Sequence, residues 1–521
     1  MINIIGAGLA GLSAALTLAE NGVRCRLISA QSSERAQSVL AEGGINAALD
    51  TMGENDSREL HFEETMKGGA YLADPNAVRS LCFGAPETVE RLIRLGVPFN
   101  RNADGSLMLR SFGGQKKKRT AFARSSTGKM IMAALTDEVR KYEARRLVER
   151  LSHHVFIRPL ISGGECIGVR IKDSFTGEVR DLYGRVTAAF GGLCGLFPEM
   201  TTGTVTNSGN AAAVLFSQGV KLGNLEMIQY HPTTVGIPGK RCLISEAARG
   251  EGGRLYTVKD GSPWYFMEEK YPELKNLMPR DVVSREIFFA EREHGDVYLD
   301  MRGIPAEAWR GKLSDLRAEI MHYFPLDPVR DPVPVQPGIH YFMGGIYVNE
   351  RHETSVKGLY AAGECACQYH GANRLGGNSM LGALFGGHTA ALTAMEEDTG
   401  ENGEKLCGEK DIFDCVSSVS FDEKLRGILS GGLGIVRCEE DLRVALEALG
   451  ELDCKNAVEA ARKELSRAML LSALERKESR GAHCRSDAPG ALEEYRKTTV
   501  CEYFGEKVNI SFADIPERRQ L

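Results

Sequence analysis

A chain of 521 residues, 43% hydrophobic and 26% charged, has the composition of a globular protein and the length for a large core and two or three structural units. Its formal net charge of −6 excludes both the basic surface a nucleic-acid binder needs and the charge excess of a disordered chain. No apolar run reaches the roughly 18 residues that suggest a membrane span, and the 13 cysteines scatter without a CxxC pair, which points to reduced thiols rather than a disulfide framework, a zinc site or an iron–sulfur cluster.

Residues 2–5 (INII) form a short apolar run, GAGLAGLSAALTLAENG follows with helical spacing, and VRCRLI alternates as a strand. Together they predict a βαβ unit. Gly6, Gly8 and Gly11 complete GxGxxG between its first strand and its helix, where glycine permits the tight turn and lets a pyrophosphate sit at the helix N-terminus. Without a basic stretch ahead of it, the apolar start reads as structure and not as a signal peptide. The acid expected at the end of the second strand to hold the ribose hydroxyls is absent: that position is Ser29, and either Glu34 compensates or the ribose is held otherwise.

Farther on, Lys116 to Lys118 read as a solvated loop, while VTAAFGG (186–192) and GLYAAGE (358–364) read as later strands of the same sheet, each ending in glycines. A dinucleotide domain is therefore expected from segments on both sides of an insertion, residues 219–337, that mixes strands with charged helices. Cys365 and Cys367 are read as packing residues. Residues 401–410 read as a polar linker, and from residue 411 onward apolar residues recur at helical spacing.

Ten stretches then occur in order from residue 1 to about residue 485: GAGLAGLSAAL, AEGGINAAL, FGGQ, QYHPTT, SEAARGEGG, PRDVVSR, HYFMGGI, GLYAAGEC, HGANRLGGNS and RKESRGAH. In this series the chain resembles the flavoprotein subunits of the succinate dehydrogenase and fumarate reductase family, whose close relative is L-aspartate oxidase. The resemblance implies an α/β fold with a Rossmann-like FAD-binding domain (1–218 and 338–405), an inserted α+β capping domain (219–337) and a C-terminal helical domain (411–521). It also implies FAD as cofactor, closure of the cap over the flavin ring, and hydride exchange between flavin N5 and a four-carbon dicarboxylate.

Reducing the double bond of fumarate needs a hydride on one face, a proton donor on the other, and cations to hold two carboxylates, for which the planar fork of arginine is suited. By the resemblance, His231, Ser245, His340 and Arg374 bind the carboxylates and Arg280 delivers the proton. Arginine is an awkward general acid because its ordinary pKa exceeds 12. The family resolves this with a relay, here Glu246 and Arg249, three residues apart on a helical turn. Ser245 stands where the family usually has threonine and keeps the hydroxyl.

Expected cofactor-lining positions are Gly6, Gly8, Gly11, Ser29, Gln37, Ser38, Glu42, Gly43, Gly44, Ser208, Glu364, Ser379 and Met380, with no metal. Gln37 occupies the position of the histidine that tethers FAD covalently in the membrane-bound members, so FAD is expected to be noncovalent and its potential lowered toward fumarate reduction. Two further departures are Gly382, where relatives carry an acid, and Ser208, in place of an aspartate near the flavin.

Phe112 decides between the nearest alternatives. Aspartate oxidases carry a glutamate there to meet the substrate ammonium; an apolar ring leaves that cation unpaired at a cost of several kcal/mol. Fumarate is therefore the expected substrate and succinate oxidation the slower reverse. The alternatives are L-aspartate oxidation, reduction of another 2-enoate, and a non-catalytic FAD-binding subunit, against which the intact set of Arg280, Glu246 and Arg249 argues. The chain carries no haem or iron–sulfur motif, so electrons are expected from an iron–sulfur subunit or another donor. The expected location is cytoplasmic, or at the inner membrane face through partner subunits.

Overall fold

The computed structural model describes residues 1–396 and 416–519; the expected linker 401–410 and the edges of the two segments flanking it lie outside the described residues. At the centre is a five-stranded parallel sheet. Ile2–Ile5 pairs with Cys25–Ser29 on one side and Arg185–Ala188 on the other, with Val148–Ser152 and Leu359–Ala361 at the edges. All four residues of the first strand are buried, so an unbroken apolar run is what this position requires.

The turn after that strand passes directly under the end of Arg185–Ala188. Gly6 has φ +116°, and a Cβ on it would lie 2.2 Å from the carbonyl oxygen of Ala189, so no other residue fits. The helix that follows, Leu9–Glu20, is buried at every position except Glu20 and packs between the sheet and the helix Asn378–Glu396. An antiparallel meander, His154–Ser162, Glu165–Asp173 and Val179–Tyr183, extends the same body.

The insertion leaves along the strand Ile228–Ile237 and returns along Gln336–Phe342, paired antiparallel with each other. These two legs divide their burial between two cores. Ile228, Tyr230, Ile339 and Phe342 pack in the main core, whereas Val235 and Val335 belong to a separate cluster with Ile244, Leu255, Ile287, Leu299 and Leu316. The expected start of the insertion at residue 219 falls ahead of Leu222–Gly223, which pairs with Gly345–Tyr347 in the main body.

After residue 416 come the helices Val419–Gly432, Glu439–Gly450 and Ala457–Glu475, whose apolar faces merge with the main core through Phe421, Leu442 and Leu465. The expectation of helix throughout this region is corrected at its end. Lys497–Phe504 and Lys507–Asp514 form a hairpin that adds to the sheet containing Leu222–Gly223. The β-branched and aromatic residues of KTTVCEYF and the period-two pattern of KVNISFAD are the strand signals that the long helical stretch before them overshadowed.

One buried side chain joins helix, hairpin and main body. Arg476, 0% exposed, donates through Nε to Glu226 Oε1 (2.7 Å), through Nη1 to Glu478 Oε1 (2.9 Å) and the Tyr495 carbonyl (2.7 Å), and through Nη2 to the Lys497 carbonyl and Thr499 Oγ1 (both 2.7 Å). All five of its N–H groups are used. Removing one partner of such a pair strands the others in a dry interior, at roughly 3–5 kcal/mol. Arg476→Met should therefore lower the denaturant midpoint of the full chain by that equivalent; an unchanged midpoint would show that the junction does not depend on this residue.

Candidate active site

A cleft of about 370 Å³ opens at the carboxyl ends of the parallel strands, where open α/β sheets bind their ligands, and its volume lies in the range of small-molecule sites. Every expected site residue except Gly11 and Arg249 lines it. Gly11 acts from behind: a Cβ there would lie 1.8 Å from the Gly6 carbonyl oxygen, so it lets helix Leu9–Glu20 start against the turn. Gly8 offers no side-chain cap to this helix, and the Leu9 N–H donates to Ser38 Oγ (3.2 Å). The remaining first-turn N–H groups are left for an anion in the cleft.

Ser29 lines the ribose end, its hydroxyl donating to the Gln31 carbonyl (2.7 Å). Glu34 does not compensate for the missing acid. It is 57% exposed and paired with Arg140 at 2.9 Å, while Ser32 and Arg35 line the cleft instead. Gln37 Oε1 accepts from the Thr204 N–H, a neutral strap where a tether would be. Ser208, Ser379 and Met380 face the same space. Glu364 accepts from the Phe342 N–H (3.1 Å), and burial pushes its pKa up to about 7.

Glu42 presents a buried Oε2 with no hydrogen-bond partner. Burial, then the charge of Glu319, push its pKa up to about 8, with the Ser245 hydroxyl against the same carboxyl. Sequence reasoning missed Arg110, whose guanidinium sits 5.3 Å from the Phe112 ring centroid and 4.3 Å from that of Phe122. Arg110 donates through Nε to the Gly43 carbonyl (3.0 Å) and through Nη2 to that of Glu42 (3.2 Å), fixing the Glu42–Gly44 backbone along the cleft. A glycine turn, an uncapped helix end and a buried acid with one oxygen lacking a partner, all lining one cleft, fit an FAD molecule.

At the other end the side chains expected to hold a diacid converge. His231 lies on the outgoing leg, between two register shifts that break the pairing at Gln229/Tyr230 and His231/Thr234, irregularities that re-aim a side chain. His340 lies on the returning leg, with Nδ1 2.7 Å from Thr202 Oγ1. The two rings meet edge to face at 5.2 Å. Burial, followed by the charge of Arg280, holds both imidazoles well below their ordinary range, so both are neutral.

Arg280 opens the helix Arg280–His294 and donates through Nε (2.9 Å) and Nη2 (2.7 Å) to Glu246 Oε2. Glu246 Oε1 accepts from the Gly113 N–H (2.7 Å) and lies 3.6 Å from Arg249 Nη2. Burial alone would raise the Glu246 pKa, but the charges of Arg280 and Arg249 with these hydrogen bonds hold it down at about 2. Arg249 sits behind Glu246, fully buried, with Nη1 donating to the Asn276 carbonyl (2.6 Å).

Arg374 has no carboxylate partner. Its guanidinium lies 4.5 Å from the Tyr341 ring centroid, Nε is buried without a partner, and its one hydrogen bond, to the Leu375 carbonyl, is 3.4 Å long. The guanidinium groups of Arg280, Arg249 and Arg374 gather here around the ionised carboxylate of Glu246, with both histidines neutral, so arginines outnumber the carboxylate in this set. Phe112, 2% exposed, forms an apolar wall, and its ring lies in contact range of Gly43.

Two groups that hold this set together, the Gln229 side chain and the Gly113 N–H, were not singled out from the sequence, although both lie inside quoted stretches, QYHPTT and FGGQ. Gly382, one of the departures, abuts His370, whose Nε2 would lie 3.3 Å from a Cβ at that position. Among the described residues no His, Cys, Asp and Glu cluster is placed to hold a metal, and no helix is long and apolar enough to cross a membrane.

Comparisons with known proteins agree with this geometry. Residues 2–380 match the family model for an FAD binding domain, and residues 456–519 that for the fumarate reductase flavoprotein C-terminal region. The chain is 33% identical to the succinate dehydrogenase flavoprotein subunit of Bacillus subtilis, over 96% of its own length and 94% of the relative's. It is 34% identical to the L-aspartate oxidase of Mesorhizobium japonicum, over 97% and 96%. A solved quinol–fumarate reductase with menaquinol molecules superposes with a TM-score of 0.90 at 28% identity, covering 100% of this chain and 98% of that one. The chain belongs to the succinate dehydrogenase and fumarate reductase flavoprotein family and is an FAD-dependent oxidoreductase.

Proposed function

We propose that the chain reduces fumarate to succinate, with succinate oxidation the slower reverse. The observation that carries this reading is the arginine-rich end of the cleft, closed on one side by the Phe112 ring and on another by Arg280 held on Glu246. A dianion matches that charge. An ammonium group would meet cations and an aromatic wall, which speaks against L-aspartate although a relative of similar identity is named as its oxidase.

In this reading Arg374, His231, His340 and Ser245 hold the two carboxylates. As neutral imidazoles the histidines donate one N–H each without adding charge, and Arg374 has its Nε free to bind a carboxylate. Bound FAD, when reduced, supplies a hydride to one alkene carbon. Arg280 supplies the proton to the other carbon and recovers it through the contact of Nη2 with Glu246 Oε2, with Arg249 as the next member of the relay. Charge driven onto the far carboxylate during the step is met by Arg374 and His340, which are in place beforehand. The docked cap keeps water out, strengthening these interactions.

One observation supports a noncovalent FAD: Gln37 has no nucleophilic group and spends its oxygen on Thr204. An electron donor outside the chain completes the reading. An iron–sulfur subunit is the favoured one, since relatives are named as flavoprotein subunits, and in this reading the chain works in the cytoplasm or at the inner membrane face through such a partner.

Three outcomes test this. With a reduced dye as donor, the purified flavin-loaded chain should consume fumarate and leave L-aspartate untouched, and Phe112→Glu should weaken fumarate turnover; aspartate oxidation by the parent chain would overturn the assignment. Arg280→Gln should lose roughly 10²- to 10⁴-fold in turnover at unchanged flavin absorbance, and a retained rate would remove Arg280 from the mechanism. Acid precipitation should leave the yellow cofactor in the supernatant, whereas a yellow pellet would mean a covalent bond.

A further inference from the structure

Arg280 and Asp281 are consecutive residues at the start of the cap helix, and their side chains reach two different partners that are bonded to each other. Arg280 Nη1 donates to Gln229 Oε1 (3.3 Å), Gln229 Nε2 donates to Asn373 Oδ1 (2.8 Å), and Asn373 Nδ2 donates to Asp281 Oδ1 (2.9 Å). These bonds close a ring through the cap helix, the outgoing leg and the loop that carries Arg374. Gln229 Nε2 also donates to the Arg374 carbonyl (2.8 Å). Three of its members are buried, with Gln229 0%, Asn373 4% and Arg280 8% exposed, and the Asp281 side chain is 10% exposed.

The polarity of the ring is fixed at both ends. A guanidinium only donates, so Gln229 must turn its oxygen to Arg280 and its amide N–H groups to the loop; an ionised carboxylate only accepts, so Asn373 must turn its nitrogen to Asp281. One orientation of both amides satisfies every contact. Asp281 Oδ2 is further held by Arg285 Nη2 at 3.2 Å, and Arg285 Nη1 donates to the Gly481 carbonyl (2.7 Å), which pins the helix to the C-terminal region.

We propose that Asp281 and Asn373 are positioning residues that lock the proton donor Arg280 and the carboxylate clamp Arg374 into one spacing, complete only when the cap is docked. Neither has to touch the substrate. Arg374, lacking an ion-pair partner of its own, takes its place from the Tyr341 ring and from its backbone, and the backbone is what Gln229 and Asn373 hold. The catalytic consequence rests on the proposed fumarate reduction; the mechanical coupling of cap and loop does not.

The test uses the flavin-loaded full chain. Asn373→Asp replaces the donor facing Asp281 with a second acceptor, and should raise the fumarate KM and lower kcat by about tenfold each or more at unchanged flavin content. The double variant Asp281→Asn/Asn373→Asp restores a donor opposite an acceptor with the polarity reversed, and should regain most of both parameters, which a residue needed only for stability would not produce. Without substrate, amide hydrogen exchange across residues 278–285 and 370–376 should speed up in the single variant and slow again in the double.

Asn373→Ala, which deletes the link without adding charge, is read in the same way should Asn373→Asp fail to fold. Parent-like kinetics and exchange in the single variants, or a double variant as impaired as the single, would overturn the proposal. If the parent chain does not reduce fumarate, the functional reading falls and the exchange pattern alone decides the coupling.

Discussion

The ion pair between Arg280 and Glu246 is the constraint on which the site depends. Both side chains are nearly out of water, 8% and 2% exposed, and charges so placed cost several kcal/mol each unless geometry and further hydrogen bonds offset the loss of solvent. Here the offset is supplied from all sides, by the Gly113 N–H and Arg249 on the carboxylate and by Gln229 on the guanidinium. Because Gly113 belongs to the flavin-binding body and Glu246 to the insertion, the pair is satisfied only when the two halves meet. The charge arrangement proposed to bind a diacid is thus also a reason for the cap to dock.

The same positive field sets the state of its neighbours. His231 and His340 would be partly protonated in water, yet in this pocket burial and the nearby arginines keep them neutral. Two more cations would add repulsion to a site already carrying a surplus. Neutral imidazoles give directional donors instead, and the contact of Thr202 with Nδ1 leaves the other ring nitrogen of His340 for a ligand.

Much of this was legible in the chain. The GxGxxG turn needs only three glycines at fixed spacing, a local requirement visible in sequence, and the side chains that converge on the substrate end lie in stretches characteristic enough to be recognised. What sequence could not give was partnership. Glu34 was a reasonable stand-in for the missing ribose acid by distance along the chain, but its side chain points to Arg140 in solvent. The bonds among Gln229, Asn373 and Asp281 join residues up to 144 positions apart, and no local pattern encodes them. Arg476 opens the quoted stretch RKESRGAH, but two of its five bonds go to Lys497 and Thr499 of a hairpin whose strands were hidden behind a longer helical signal.

The two legs of the insertion have an asymmetric consequence. His231 and His340 ride on the strands that tie the cap to the body, close to any pivot, whereas Arg280 sits out on the cap's own helix. A swing about those strands moves the histidines little and Arg280 far. An opening about those strands would therefore part the Arg280 side of the pocket from the two histidines first, so that the cleft would open from one end like a hinged clasp.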